Sequence, residues 1–285
     1  MVIRRDVVSL TTASGRAITV DLTYPSPREA EAALIIFSHG ANAAPDRYRV
    51  LLDAWARCGF KVAAPLHVDS EEHQDRARHD RPSIRATRIE DYSAVASRFG
   101  TGVQVIAAGH SYGALIAQLA GGAQLMKGLP VLAGPKPLAV VALSPPPPMP
   151  QVMEATGWSS LAVPTLTVTG DQDVMPGFVE CWQQRLAGYH AQSPDHAYSL
   201  VVENMDHYGN GSFGRLRPGA PAALVEHFNR LALTFMGDCL AGEGPSTESW
   251  LAAAEPGLLT MTRRPLSACR ADRPAPVGSR CPPIA

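Results

Sequence analysis

Apolar positions along the chain fall into short runs of two kinds. In the first, Ile18, Val20 and Leu22 alternate with polar residues, the period of a half-buried strand, and predict a strand over 17–24. A second strand over 7–12 precedes it, and a turn through Ser14 and Gly15 makes the two a hairpin. After Pro25 and Pro27 the pattern changes. Ala33-Leu34-Ile35-Ile36-Phe37 is apolar at every position, as expected of a strand covered on both faces. Similar runs follow at 62–64, 103–107, 138–143, 166–169 and 200–202. Between and after them, the pattern predicts helices near 48–58, 90–97, 112–120, 178–186 and 221–235. Strands alternating with helices after an antiparallel start predict an α/β fold. Its central sheet would be mostly parallel, with antiparallel N-terminal strands and helices on both faces.

Two segments break the pattern. Residues 68–88 are densely charged and short of apolar positions, which predicts a solvated loop or frayed helix. Residues 265–285 are rich in Pro, Arg, Ala and Ser and have little to bury, so one folded domain over 1–264 with a mobile tail is expected. Pro145-Pro146-Pro147-Pro148 cannot donate backbone hydrogen bonds and should end the strand before it.

Composition narrows the classes of partner. The 285 residues carry 25 Lys+Arg against 26 Asp+Glu, a net charge of −1, which leaves no electrostatic footprint for nucleic acid or an anionic membrane. No apolar run reaches the ~20 residues that cross a bilayer, and the basic start at Arg4 and Arg5 is not followed by an apolar signal block. Five scattered cysteines without a Cys-x-x-Cys pair argue against a disulfide framework or a zinc site and predict a cytoplasmic location.

The chemistry concentrates in Gly109-His110-Ser111-Tyr112-Gly113, placed where a buried strand ends and a helix rich in small residues begins. Such a turn lifts the central hydroxyl above the sheet edge, and the new helix aims its first N–H groups at the same space. A serine hydroxyl is a weak nucleophile at neutral pH, so it needs a base, and the base needs an orienting acid. Both should follow on loops after later strands, acid first. The strand 166–169 runs into Gly170-Asp171-Gln172-Asp173, and the strand 200–202 runs into Asp206-His207. Asp171 suits a turn-capping role and Asp173 reaches further toward a neighbouring loop, so Asp173 is favoured as the acid; Asp206 is a third candidate. The backbone N–H of Tyr112 and that of Ala41, in the loop after the first buried strand, are the expected oxyanion donors. Packing roles are expected for His110, His190, His196 and His227. His67, His73 and His79, with Asp69, Glu71, Glu72 and Asp75, match no metal-binding spacing, so neither a metal nor a cofactor is expected.

With these residues in hand, the chain resembles the α/β-hydrolase superfamily, and within it the dienelactone-hydrolase-like and platelet-activating-factor-acetylhydrolase-like serine esterases. The resemblance covers about residues 30–235 and rests on Phe37-Ser38-His39-Gly40, Gly109-His110-Ser111-Tyr112-Gly113, Thr169-Gly170-Asp171-Gln172-Asp173 and Asp206-His207. It implies a Ser111, His207, Asp173 triad, since the acid of such enzymes closes a Gly-x-x-Asp. True dienelactone hydrolases carry a cysteine nucleophile where this chain has Ser111. No insertion between the elbow strand and the acid strand is long enough for a large lid domain. A fairly open apolar site bordered by Tyr112, Trp158 and Phe178 suits a small to medium carboxylic ester as the small-molecule partner. The alternatives are an amide, peptide or lactone hydrolase with the same triad, or a catalytically silent binding protein that kept the fold.

Overall fold

The computed structural model describes residues 2–26, 33–132, 134–220, 222–242 and 258–263. Nine strands form one sheet: β1 (Val2–Thr11), β2 (Ala17–Ser26), β3 (Leu34–Ser38), β4 (Lys61–Pro65), β5 (Val105–His110), β6 (Ala139–Leu143), β7 (Thr165–Gln172), β8 (Ala197–Asp206) and β9 (Leu258–Arg263). Their order is β1-β2-β4-β3-β5-β6-β7-β8-β9. The six from β4 across to β8 run parallel; β1, β2 and β9 are antiparallel to their neighbours.

Five helices cover the sheet: α1 (Arg49–Arg57), α2 (Arg81–Phe99), α3 (Tyr112–Ala120), α4 (Ala187–Ala191) and α5 (Ala222–Ala241). Successive side chains of a strand point to opposite faces, which is why β3 is apolar throughout. Ile35 and Phe37 pack with Leu51, Leu52 and Trp55 of α1 and Phe228, Leu231 and Phe235 of α5. Leu34 and Ile36 pack with Ile89, Tyr92 and Val95 of α2 and Leu115 and Ile116 of α3. The mostly parallel sheet with helices on both faces is the architecture the pattern predicts.

Several expectations are corrected. Helix α2 begins nine residues before the predicted helix, at Arg81, where the Asp80 carboxylate accepts the Ser83 N–H at 2.9 Å. The charged segment before it is not simply solvated: Asp69 and Ser70 are buried. Beside the buried Val68, a paired charge, Asp69 with Arg88, fills that region. The predicted helix 178–186 is instead a turn followed by 3₁₀ structure at Trp182–Leu186, and β9 had no counterpart among the predicted strands. Cys58 and Cys239 are free thiols, whereas Cys181 is disulfide-bonded. Pairing depends on proximity in the fold, which sequence spacing does not report. No helix of the described residues is long and apolar enough to cross a membrane. The tail 265–285 lies outside the described residues.

Candidate active site

The parallel strands β5, β7 and β8 end on the same edge of the sheet, with β6 between β5 and β7, so the loops after them lie on that edge. Ser111 joins β5 to α3 with φ 53° and ψ −118°, a left-handed conformation that a non-glycine residue adopts only when its surroundings impose it. The glycines on either side make that turn possible. A Cβ on Gly109 would lie 2.2 Å from the Gly113 carbonyl oxygen, and one on Gly113 would lie 1.9 Å from that of Ser38. The second approach also seats the start of α3 directly on the end of β3.

His207 follows β8. Its Nε2 is 3.1 Å from Ser111 Oγ and its Nδ1 is 2.8 Å from Asp173 Oδ1. Asp173 follows β7, is fully buried, and accepts the Thr169 hydroxyl on Oδ2 at 2.9 Å. Asp171 lies elsewhere: its carboxylate accepts the exposed Asn204 N–H at 2.8 Å. Asp206 accepts the N–H groups of Tyr208 and Asn210, at 2.8 and 2.7 Å, and so shapes the turn that carries His207. Of the three acids, only Asp173 meets the imidazole.

Burial favours the neutral form of His207 and lowers its pKa; the Asp173 carboxylate opposes this, and the nearby Arg185 guanidinium adds to it. Burial would raise the Asp173 carboxyl, but the hydrogen bond from His207 and the charge of Arg185 hold it well below the usual carboxylate range. The histidine is thus available as a base beside a permanent anion, an arrangement that can take a proton from Ser111 Oγ and stabilise the resulting imidazolium.

His110 does more than pack under the elbow. Its Nε2–H donates to the His207 carbonyl at 2.8 Å, which leaves Nδ1 to accept the Tyr48 hydroxyl at 2.9 Å. The Tyr48 oxygen in turn accepts the Gly40 N–H at 3.0 Å. A buried relay therefore ties the backbone of His207 to the loop after β3. Burial, with His207 adjacent, keeps His110 neutral by pushing its pKa well below the ordinary value.

That loop carries the second expected oxyanion donor. Ser38 pairs with Gly109 in the sheet, so the loop that carries Ala41 starts beside the strand that ends in the elbow. Tyr112 opens α3, and an N–H in the first helical turn has no partner within its helix. Behind the loop, Arg88 donates from Nη1 to the His39 carbonyl at 2.7 Å and from Nη2 to that of Gly40 at 3.2 Å. Asp69 anchors the same guanidinium at 2.8 and 2.9 Å, and the Arg88 carbon lies 4.7 Å from the centre of the Tyr112 ring.

The expected substrate-facing residues separate. Phe178 is 45% exposed, in the turn after Asp173, and Tyr112 is partly buried beneath the Arg88 contact. Trp158 is fully buried, and its indole N–H donates to Gln118 Oε1 at 2.9 Å. It belongs to the core, which corrects its expected place on a pocket wall. Arg185 and Arg88 had no sequence signal: isolated charged residues read as surface until the fold buries them. Among the described residues, no three His, Cys, Asp or Glu side chains gather as metal ligands.

The strand order, the elbow after β5 and the loops after β7 and β8 define an α/β-hydrolase fold. No family model and no curated protein matches the chain. Solved structures do match. The Thermus thermophilus protein TT1662 is 20% identical, with a TM-score of 0.56 over 84% of this chain and 99% of that one. A Klebsiella pneumoniae protein assigned as a dienelactone hydrolase is 16% identical, with a TM-score of 0.56 over 80% and 97%. The Pyrococcus furiosus esterase Pf2001 is 15% identical, with a TM-score of 0.59 over 84% and 93%.

Proposed function

We propose that this protein is a serine hydrolase that cleaves small to medium carboxylic esters through an acyl-enzyme. The observation that carries the reading is the continuous line from Ser111 Oγ to His207 Nε2, and from His207 Nδ1 to the buried Asp173 carboxylate, at 3.1 and 2.8 Å. Similarity in fold to an esterase and to a protein assigned as a dienelactone hydrolase agrees with it.

In the proposed reaction Ser111 Oγ attacks the ester carbonyl as His207 Nε2 takes its proton. The N–H groups of Tyr112 and Ala41 receive the developing oxyanion. The protonated His207 then returns its proton to the departing alcohol, and Asp173 holds the imidazole in the tautomer this requires. Water repeats the sequence against the acyl-enzyme, releases the acid and restores Ser111. Phe178, exposed five residues beyond Asp173, offers an apolar surface to the acyl or alcohol group.

The test is hydrolysis of p-nitrophenyl esters from acetate to decanoate by the wild type and by Ser111→Ala. Turnover should fall by at least about 10⁴ in the variant, and the chain-length optimum should report the acyl site. A folded wild type inactive on every ester would sink the ester reading. Cleavage of amides or lactones by the same protein would move it to that chemistry.

A further inference from the structure

The acid–histidine pair has a third buried partner. Arg185, fully buried just before α4, donates from Nε to Asp173 Oδ1 at 3.1 Å, and its Nη2 lies 3.0 Å from the same oxygen. Nη1 reaches the carbonyls of Ser144 and Pro145, each at 3.3 Å. The guanidinium is therefore fixed by the loop after β6 as well as by the acid.

Nη2 also lies 2.9 Å from His207 Nδ1. A guanidinium has only donors, and Nδ1 carries its proton toward Asp173, so this contact cannot be a hydrogen bond while the histidine is oriented for catalysis. It places a fixed positive charge against the ring that must become positive. The other groups facing His207 are Ser111 at Nε2, His110 with ring centres 4.7 Å apart, and Asp206 and Tyr208 next to it in the chain. None of these supplies a second cation, since His110 stays neutral.

We propose that Arg185 is a positioning residue that locks the Asp173 carboxylate in place and, through its charge, keeps His207 deprotonated and competent as a base into mildly acidic solution. The inference rests on the reading of Ser111, His207 and Asp173 as the reacting line. Two effects of the cation oppose each other. It makes imidazolium formation harder, and it gives the dry carboxylate a partner that leaves it ionised. The balance is an acid that stays an anion and a base that titrates low. The same direction appears in the lowered pKa of His207, for which burial is the first cause and Asp173 the opposing one, with Arg185 lowering it further.

The experiment is the pH dependence of Ser111 labelling by a fluorophosphonate. In that reaction Ser111 Oγ bonds to phosphorus, fluoride leaves, and His207 takes the serine proton. Peptide mass spectrometry locates the label. Arg185→Gln removes the charge, and the acid limb should rise by about 1 pH unit. Arg185→Lys keeps a charge at a shorter reach and should show a smaller rise, with a lower plateau rate. An acid limb in Arg185→Gln that matches or falls below the wild type would overturn the proposal while leaving the labelled serine intact. If Arg185→Gln does not fold, Asp173→Asn and Asp173→Asn/Arg185→Gln carry the same comparison, because the double variant leaves no unpaired buried carboxylate. The limb should then lie higher in the double variant, and equality would overturn the proposal. A folded wild type that takes no label at Ser111 fails at the earlier step, and the inference falls with it.

Discussion

Two buried Arg–Asp pairs flank the elbow, and they are built alike. Arg88 is held by Asp69, Arg185 by Asp173, and each guanidinium also donates to two consecutive backbone carbonyls. Their neighbours differ. Arg88 grips the carbonyls of His39 and Gly40, the backbone that presents Ala41, lies over the ring face of Tyr112, and has Nη2 3.4 Å from Nδ1 of His39, a ring that does not meet Ser111. Arg185 sits against His207 Nδ1 itself. In the proposed reaction, one pair supports the loop of the oxyanion donor Ala41, and the other adjoins His207, the group that changes charge. On that proposal the same device has a geometric use on one side of Ser111 and an electrostatic use on the other.

The largest expected effect separates the two acids near the Arg185 side. Asp173→Asn should lower turnover by about 10⁴, since the imidazole loses its orienting anion, while Asp171→Asn should cost tenfold or less because its carboxylate holds only a surface turn. A larger loss from Asp171→Asn would reassign the acid.

Arg88→Met comes next. It frees the carbonyls of His39 and Gly40 and should cost about 10²–10³ in kcat, the range for losing one oxyanion donor. Breaking a buried pair should also cost about 3–5 kcal/mol of stability, seen as a lower urea midpoint. The acid limb of the pH profile should stay where it is. A limb that moved as far as that of Arg185→Gln would erase the distinction between the two pairs.

The smallest effect is on stability. Burial pushes the pKa values of His39, His67, His110 and His207 below the ordinary histidine value, so each is neutral when folded and protonates more readily when unfolded. Between the folded values and about 6.5 the unfolded chain binds more protons, so stability is complete above about 6.5 and falls as pH drops. Burial pushes the Asp91 carboxyl up to about 6, with Arg16 and Arg88 opposing, and this works in the other direction for a single group. The urea midpoint should be lower at pH 5.5 than at pH 7.5; an equal or higher one would contradict this.

What could be read from the sequence follows from what apolar pattern reports. The buried strands, the elbow glycines and the order of Ser111, Asp173 and His207 stood out because each is marked by a run or a motif at a strand end. The segment 68–88 was misread for the same reason. Besides Val68, its buried groups are the polar Asp69, Ser70 and Arg88, and a charge satisfied inside the fold has the same letter as one in water. Trp158 was misplaced in the opposite sense, since an aromatic residue near a pocket loop serves a core equally well. Asp171 and Asp173 stand too close in sequence to separate; the bond from Thr169 to Asp173 and the burial of Arg185 distinguish them only in the fold.

The most direct measurement is to quench the wild type in acid within its first turnovers of p-nitrophenyl acetate and map the acetyl group by peptide mass spectrometry. The account predicts a burst of p-nitrophenol with acetyl on Ser111, and neither burst nor acetyl in Ser111→Ala. Steady hydrolysis with Ser111 unmodified, or an undiminished rate in Ser111→Ala, would contradict it.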